Sequence, residues 1–392
     1  MNLKTRIGLF MLTPLTQGGG AEKYFINLAT QLSDDRTQVD IITLDSNSFK
    51  IYARFIHIFT HFNFFGYLPL QGREKKENII KQLKHARWLS TSFSNLKNRL
   101  KKYNIIYAKN EILDLLVLKL VCQKKYPPCI IGVHTPIIFN YPTTLLAKFH
   151  NIIYASRFYY WLLKDAASIH CSNFFTKSYV ISHFNLPASL IYYPYKIEIA
   201  RHVNSAIKFN KKVLNITFVG RLSEQKGVDL LLKLINDLPS DLYTKITINI
   251  FGSGDETYLK KIKQITSKNK NIRYFGHINN NQLLTMYKDQ DLLISPSRWE
   301  VLPYNILEAQ SQGIPVIAFN IPGPQDIINQ NTGILVNTYQ ELLDSTIKFV
   351  NHYYNFDKNK ITKNIQTKFE PSKIYRQLKK LLIKYSHDHK QA

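Results

Sequence analysis

The chain has 392 residues, with 52 Lys and Arg against 27 Asp and Glu for a formal charge of +25, and 45% of its residues are hydrophobic and 13% aromatic. That hydrophobic content excludes a disordered chain, the length predicts two domains of about 100–200 residues each, and the three cysteines Cys122, Cys129 and Cys171 lack the spacing of a disulfide scaffold or a zinc site. No run reaches the ~18 uninterrupted apolar residues of a membrane span, and residues 1–15 lack a signal-peptide cleavage site, so a soluble cytoplasmic protein is expected.

In chain order, the apolar residues 6–12 predict a first strand, followed by a turn holding Gly18, Gly19 and Gly20. Ala21, Phe25, Leu28, Ala29 and Leu32 then recur at helical spacing. Residues 39–44, 104–108, 129–133, 168–171 and 190–193 read as further strands. An aromatic run extends from Phe55 to Tyr67. Beyond it, residues 73–102 hold ten Lys/Arg and two acids interleaved with Ile79, Ile80, Leu83, Trp88, Phe93, Leu96 and Leu100. This pattern predicts a basic amphipathic helix, either an ordinary surface helix or one suited to an anionic leaflet at ~1 kcal/mol per well-placed cation.

After a segment around Pro194 the alternation begins again. Residues 213–219, 246–251, 272–275 and 292–294 read as strands, and residues 228–238, 258–265 and 282–287 as helices. Alternation of this kind predicts an α/β chain with parallel sheets covered by helices on both faces. The expected domains are 1–195, 205–370, and a basic helical tail over 371–392 that packs back toward the first. The charge is localised: residues 51–125 carry 15 Lys/Arg against 4 acids, and residues 351–392 carry 10 against 3. Such a surplus suits an anionic surface. No nucleic-acid recognition module is visible, which leaves an anionic membrane as the expected partner of these two segments.

The richest stretch is PSRWEVLPYNILEAQSQGIPVIAF from Pro296 onward. Pro303 suits the first turn of a helix, which places Glu300 in the preceding loop and Glu308 more than a turn inside. A retaining glycosidase needs its carboxyl groups ~5 Å apart, whereas eight residues of helical rise separate these by up to ~12 Å. The pair therefore suits different parts of one extended ligand, or, taken alone, two solvent-exposed glutamates. VGRLSEQKG (219–227) ends a strand with Arg221 and presents Lys226 before the next helix. A guanidinium fork and a flexible ammonium match the two phosphoryl groups of a pyrophosphate. The glycine turn before residue 21 offers a second anion cradle at a helix start, without the spacing of a phosphate-binding loop or a dinucleotide fingerprint. Asp289 and Asp291 fit a helix end and a strand start, with no carboxylate cluster to imply a metal. The triplet Asn215-Ile216-Thr217 lies inside a predicted strand and is discounted as a glycosylation acceptor.

GGGAE, GRLSEQKG, FGSGD, FGHI, SPSRWE…LE, GIPVIA and GILV occur in this order between residues 18 and 336. Together they resemble the retaining family 4 glycosyltransferases, glycosyl transferases group 1, of GT-B fold. The resemblance implies two Rossmann-like doubly wound domains facing each other across a cleft. It implies transfer of a sugar from a nucleotide diphosphate sugar, a UDP-sugar favoured, to a hydroxyl of a membrane-associated glycan or lipid-linked acceptor, as in lipopolysaccharide, O-antigen or capsule assembly. No metal and no cofactor beyond the donor are implied.

Residue by residue, the resemblance implies that Arg221 and Lys226 bind the donor diphosphate, that Glu300 contacts the donor sugar and that Glu308 holds the ribose. Gly19 and Gly20 would lie beside the phosphates and the acceptor. His134, in IGVHTP, would lie near the donor sugar, with a buried strand-end histidine as the plain alternative. The family's usual glycines are replaced here by Val301 and Pro303. Pro303 has no N–H to offer a phosphate, so that contact would pass to Tyr304 and Asn305. The usual Pro-Asn-Gly hinge reads Pro194, Tyr195, Lys196, followed by Ile197 and Glu198, and Asp326 stands at the usual Glu position. The rival expectation is a non-catalytic GT-B-like partner that binds a glycan or stabilises an enzyme; joint retention of Arg221, Lys226, Glu300 and Glu308 argues against it.

Overall fold

The structure is a computed structural model that describes residues 5–17, 20–45, 47–48, 76–122, 127–139, 142, 145–196 and 213–388. The chain divides into two units, Met1–Tyr192 with Ser372–Ala392, and Tyr193–Pro371.

In the first unit, strands β1 (Thr5–Phe10), β2 (Thr37–Leu44), β3 (Arg87–Thr91), β4 (Ile105–Lys109), β5 (Cys129–Gly132), β6 (Ser168–Cys171) and β7 (Ala188–Leu190) form one sheet in the order β3-β2-β1-β4-β5-β6-β7. Each neighbouring pair is parallel. Between the strands run helices α1 (Gly20–Leu32), α2 (Lys76–Gln82), α3 (Phe93–Leu100), α4 (Ile112–Cys122), α5 (Leu145–Tyr154), α6 (Arg157–Leu163) and α7 (Phe174–Phe184). The central strands are apolar at successive positions because both sheet faces are covered: Ile105, Ile106, Tyr107 and Ala108 are at most 1% exposed. On α1, Phe25, Leu28, Ala29 and Leu32 form one fully buried stripe.

The second unit repeats the plan. Strands β8 (Leu214–Val219), β9 (Ile246–Phe251), β10 (Ile272–Gly276), β11 (Leu292–Ser295), β12 (Val316–Phe319) and β13 (Gly333–Val336) are parallel in the order β10-β9-β8-β11-β12-β13. Helices α8 (Val228–Asp237), α9 (Glu256–Lys268), α10 (Asn280–Tyr287), α11 (Tyr304–Ser311), α12 (Pro324–Ile327), α13 (Tyr339–Val350) and α14 (Lys358–Lys368) cover it. Val228, Leu231, Leu234 and Ile235 of α8 meet Ile216, Phe218, Ile248 and Ile250 of the strands in one core. The last helix, α15 (Pro371–Asp388), buries Ile374, Leu378 and Leu382. Its Lys379 donates to the Leu32 carbonyl at 3.0 Å and pairs with Asp34 at 2.5 Å, within the first unit. Both sheets are doubly wound.

Three expectations are corrected. Residues 76–100 do not form one basic amphipathic helix: α2, β3 and α3 stand there instead. Ile79, Leu83, Leu96 and Leu100 are at most 2% exposed, and the Trp88 indole donates to Thr43 Oγ1 at 2.8 Å, so these apolar side chains fill the unit rather than face a leaflet. The open edge of β2 decides this by pairing with β3, where Arg87 Nε and Nη2 each lie 2.8 Å from a carboxylate oxygen of Asp40. The aromatic run 55–67 lies outside the described residues. Next, the strand expected over 190–193 is Ala188–Leu190; pairing with β6 draws it upstream, where Cys171 meets Leu190. Finally, Pro303 is the residue before α11, not its first-turn residue. Its ψ of 112° is extended, and its carbonyl accepts from Leu307 N–H at 3.3 Å.

Candidate active site

Doubly wound sheets bind ligands at the carboxyl ends of the two strands where the winding reverses. In the second unit these are β8 and β11. Past β8 come Arg221, which is exposed and has no side-chain partner among the described residues, and Lys226. Past β11 come Arg298 and Glu300. Lys226 Nζ lies 2.5 Å from Glu300 Oε1, the side chains being 16% and 9% exposed, so two residues expected to touch different parts of a donor pair with each other.

Arg298, which the motif reading passed over, ties the two loops. Its Nη1 and Nη2 donate to Asp229 Oδ1 and Oδ2 at 2.7 and 2.6 Å, and Nη1 also reaches the Glu224 carbonyl at 2.7 Å. Its backbone N–H donates to Gln225 O at 2.8 Å. Burial alone would raise the Asp229 carboxyl, but the guanidinium's hydrogen bonds and charge hold it below the ordinary carboxylate value, and those bonds raise Arg298 in turn. The seam needs a glycine: Gly227 has φ +66°, and a Cβ there would stand 1.9 Å from the Pro296 carbonyl.

The third component is the start of α11. No side chain caps it, so the first-turn N–H groups of Asn305 and Ile306 are open to an anion. Asn305 Nδ2 donates to Val219 O, the end of β8, at 2.9 Å. Its Oδ1, like the hydroxyls of Ser223 and Ser297 in the adjoining loops, is buried without a partner among the described residues. Buried polar atoms are normally satisfied, so this orphaned set fits a polar ligand. Tyr304 is 45% exposed, with its ring 6.3 Å from that of Tyr195. Glu308 lies one turn further along and is half-buried. Gly323, at φ +91°, admits the Glu300 loop: a Cβ there would come 3.0 Å from Val301 O and 3.2 Å from Glu300 Cβ.

In the first unit, Gly20 opens α1, and Gly19 lies outside the described residues. His134 follows β5, with Nε2 3.2 Å from the Tyr107 hydroxyl. That hydroxyl is 2.8 Å from His170 Nδ1, and His170 Nε2 is 2.7 Å from the Ile191 carbonyl. A carbonyl only accepts, so His170 carries its proton on Nε2 and Tyr107 donates to His170 Nδ1. The Tyr107 oxygen then accepts from His134 Nε2–H. This assignment leaves His134 Nδ1 as an acceptor. Burial, and then the neighbouring His170 and Lys109, push His134 well below the ordinary imidazole value. It is therefore a neutral hydrogen-bonding group, not a cation for a phosphate.

Next to it stands a cluster that no motif marks. Lys109 ends β4, is 2% exposed, and has no hydrogen bond or ion pair among the described residues. Burial would lower its ammonium, but Asp114, Glu111 and Glu22 raise it. Asp114, pushed up to about 6 by burial, accepts from Leu12 N–H at 3.0 Å, and Glu22 and Glu111 accept from the hydroxyls of Thr13 and Thr135 at 3.1 and 2.7 Å. A charged residue closing the apolar run IIYAK was the available signal. Among the described residues no group of three His, Cys, Asp or Glu could hold a metal. Asp291 Oδ2 accepts from Asn215 N–H at 2.8 Å, joining β8 to the start of β11. Asn215 itself is 2% exposed.

A family model described as glycosyl transferases group 1 matches residues 202–367, and one described as glycosyltransferase family 4 matches residues 18–195. An uncharacterized 41.2 kDa protein in the cps region of Klebsiella pneumoniae is 29% identical over 297 residues, 69% of this chain and 76% of that protein. The O-antigen biosynthesis glycosyltransferase WbnH of Escherichia coli is 28% identical over 170 residues, 43% of this chain and 47% of WbnH. The crystal structure of Anabaena Alr3699/HepE in complex with UDP covers 97% of this chain and 100% of its own at a TM-score of 0.69 and 16% identity, a likeness of fold.

Proposed function

The chain belongs to the family 4-like glycosyltransferases of GT-B fold, and from that premise we propose that it moves a sugar from a nucleotide diphosphate sugar, a UDP-sugar favoured, to a hydroxyl of a membrane-associated glycan or glycolipid, with retention at the anomeric carbon. The acceptor is of the kind built into lipopolysaccharide, O-antigen or capsule, and the enzyme works on the inner face of the cytoplasmic membrane. One observation carries the reading: Lys226 and Glu300 pair across the loops that follow β8 and β11, the strands at the reversal point of the second sheet, with the exposed Arg221 on the first loop and the uncapped start of α11 after the second.

The acceptor hydroxyl attacks the anomeric carbon from the face the diphosphate leaves. The bond from carbon to the diphosphate oxygen breaks as the glycosidic bond forms, and the hydroxyl proton passes to the departing phosphate oxygen. Arg221, Lys226 and the N–H groups of Asn305 and Ile306 stabilise the charge that develops there; groups aimed in advance are the main source of rate in such sites. Lys226 divides its charge between phosphate and Glu300, which holds Glu300 ready for the sugar hydroxyls. Glu308 takes the ribose, Tyr304 borders the diphosphate, and neutral His134 lies near the donor sugar. Gly19 and Gly20 let the backbone approach the phosphates. No metal has a role in this mechanism.

Arg221→Ala and Glu300→Ala each lower transfer about 100-fold or more while the circular-dichroism spectrum stays that of the folded chain. Near-normal turnover in both variants overturns the assignment, and thermal-shift titration with UDP-, GDP- and ADP-sugars identifies the base.

A further inference from the structure

Helices α5 and α6 turn an unusual face outward. Leu145, Leu146 and Ile152 on α5 are 72%, 41% and 66% exposed, and Phe158, Tyr160 and Trp161 on α6 are 44%, 40% and 37% exposed. Positions 145 and 152 are two turns apart on one side of α5, with 146 beside them. Its other side is occupied: His150 Nε2 lies 2.8 Å from the Pro136 carbonyl, and its ring stacks with Phe139 and Tyr154 at 4.3 and 4.0 Å. On α6, Tyr159, Leu162 and Leu163 are buried, while Phe158 and Trp161, one turn apart, stack at 6.1 Å. The two helices pack against each other.

Single exposed apolar residues are ordinary, but these six together with Phe149, which is 42% exposed, on two adjoining helices are not. The charge around them is one-sided. Residues 145–164 contain Lys148, Arg157 and Lys164, all exposed, and no acid. The next residue, Asp165, is paired with Lys119 at 2.5 Å, and that ammonium lies 5.1 Å from the Trp161 ring centre. The Tyr160 hydroxyl and the Trp161 indole N–H make no hydrogen bond among the described residues. Protein interfaces are depleted in lysine. Aromatic rings with a polar tip, aliphatic side chains and flanking cations together match the headgroup layer of an anionic bilayer.

We propose that the outward faces of α5 and α6 dock this glycosyltransferase on an anionic lipid bilayer, with the apolar side chains entering the headgroup layer and Lys148, Arg157 and Lys164 meeting lipid phosphates. The inference rests on the reading of a membrane-held acceptor. It places the contact on residues 145–164 rather than on the segment over 73–102.

The test is co-sedimentation of the full chain with phosphatidylglycerol vesicles and, separately, phosphatidylcholine vesicles. Strong binding to the former that weakens with salt, and weak binding to the latter, is expected. Replacing Lys148, Arg157 and Lys164 together by Ala weakens the first about 100-fold, and Ile152→Glu or Trp161→Ser, being surface changes with unaltered melts, also weaken it. Absence of binding, equal binding to both vesicle types, or variants that bind like the parent each overturn the proposal. So does a concentration-dependent dimer that Ile152→Glu dissociates while vesicle binding is lacking. Thermal shift with UDP-sugar, measured without vesicles, separates the two readings. A chain that binds vesicles through these helices but no nucleotide sugar keeps the surface and loses the catalytic reading, and the reverse result removes the surface alone.

Discussion

Arg298 grips Asp229 with both terminal nitrogens and the Glu224 carbonyl with one of them, and it does so from the loop that carries Glu300. Lysine would keep the charge and lose the planar fork. Arg298→Lys should cost about 1–2 kcal/mol in denaturant unfolding and raise the donor KM severalfold, because the Lys226 and Glu300 loops lose their common tie. Unchanged KM with lowered stability would make Arg298 a purely structural residue. His170 gives the first unit a pH response. Burial pushes it to about 4, below the roughly 6.5 of an unfolded chain. Between those values only the unfolded chain takes up the proton. The contribution of neutral His170 is therefore complete above about pH 6.5 and is lost as pH falls toward 4, on the order of 3 kcal/mol. His150, pushed by burial to about 4, acts in the same sense. Asp114, raised to about 6 by burial, opposes them, since its proton binds the folded chain first. The histidines outnumber it, so the denaturation midpoint should fall from pH 7 to pH 5, and His170→Gln should flatten that fall.

At the scale of elements, the loops after β8 and β11 meet through Gly227. Its φ of +66° and the 1.9 Å approach to the Pro296 carbonyl leave no room for a methyl group. Gly227→Ala should cost about 1–3 kcal/mol and weaken UDP-sugar binding in the same variant, both read from one thermal-shift titration. Parallel strands were legible in the amino-acid sequence because burial on both faces makes them unbroken apolar runs; 105–109 and 246–251 are cases in point. Residues 76–100 were not. Ile79 and Leu83, then Leu96 and Leu100, each have helical spacing, and the intervening RWLST has too short a period to stand out. What made it a strand was the free edge of β2, together with an Asp40 that Arg87 reaches across 47 positions.

For the whole molecule, net charge is a poor guide to where a surface binds. Residues 351–392 hold a large cationic surplus, yet Lys379 is occupied by Asp34 and the Leu32 carbonyl, and the adjoining Ile374, Leu378 and Leu382 are buried. Each such aliphatic contributes about 1.5–3 kcal/mol, so removing residues 372–392 should lower the stability of the first unit by about 5 kcal/mol or more. Limited proteolysis would register this as faster cleavage within residues 1–192; an unchanged pattern would show that α15 adds nothing there.

The amino-acid sequence by itself determined the two rounds of strand and helix, the parallel sheets and the presence of charged residues at 221, 226 and 300 in the loops past the strands, since each depends on neighbours a few positions away. Tertiary structure alone decided which charges are paired and which faces stay bare. Lys226 meets Glu300 across 74 positions and Lys379 meets Asp34 across 345. The His134 tautomer follows from a carbonyl at residue 191. Leu145 and Ile152 of α5 are exposed, while Ile79 of α2 and Leu96 and Leu100 of α3 are buried. Local periodicity shows that a helix has an apolar side; only the packing of distant segments determines whether that side is covered.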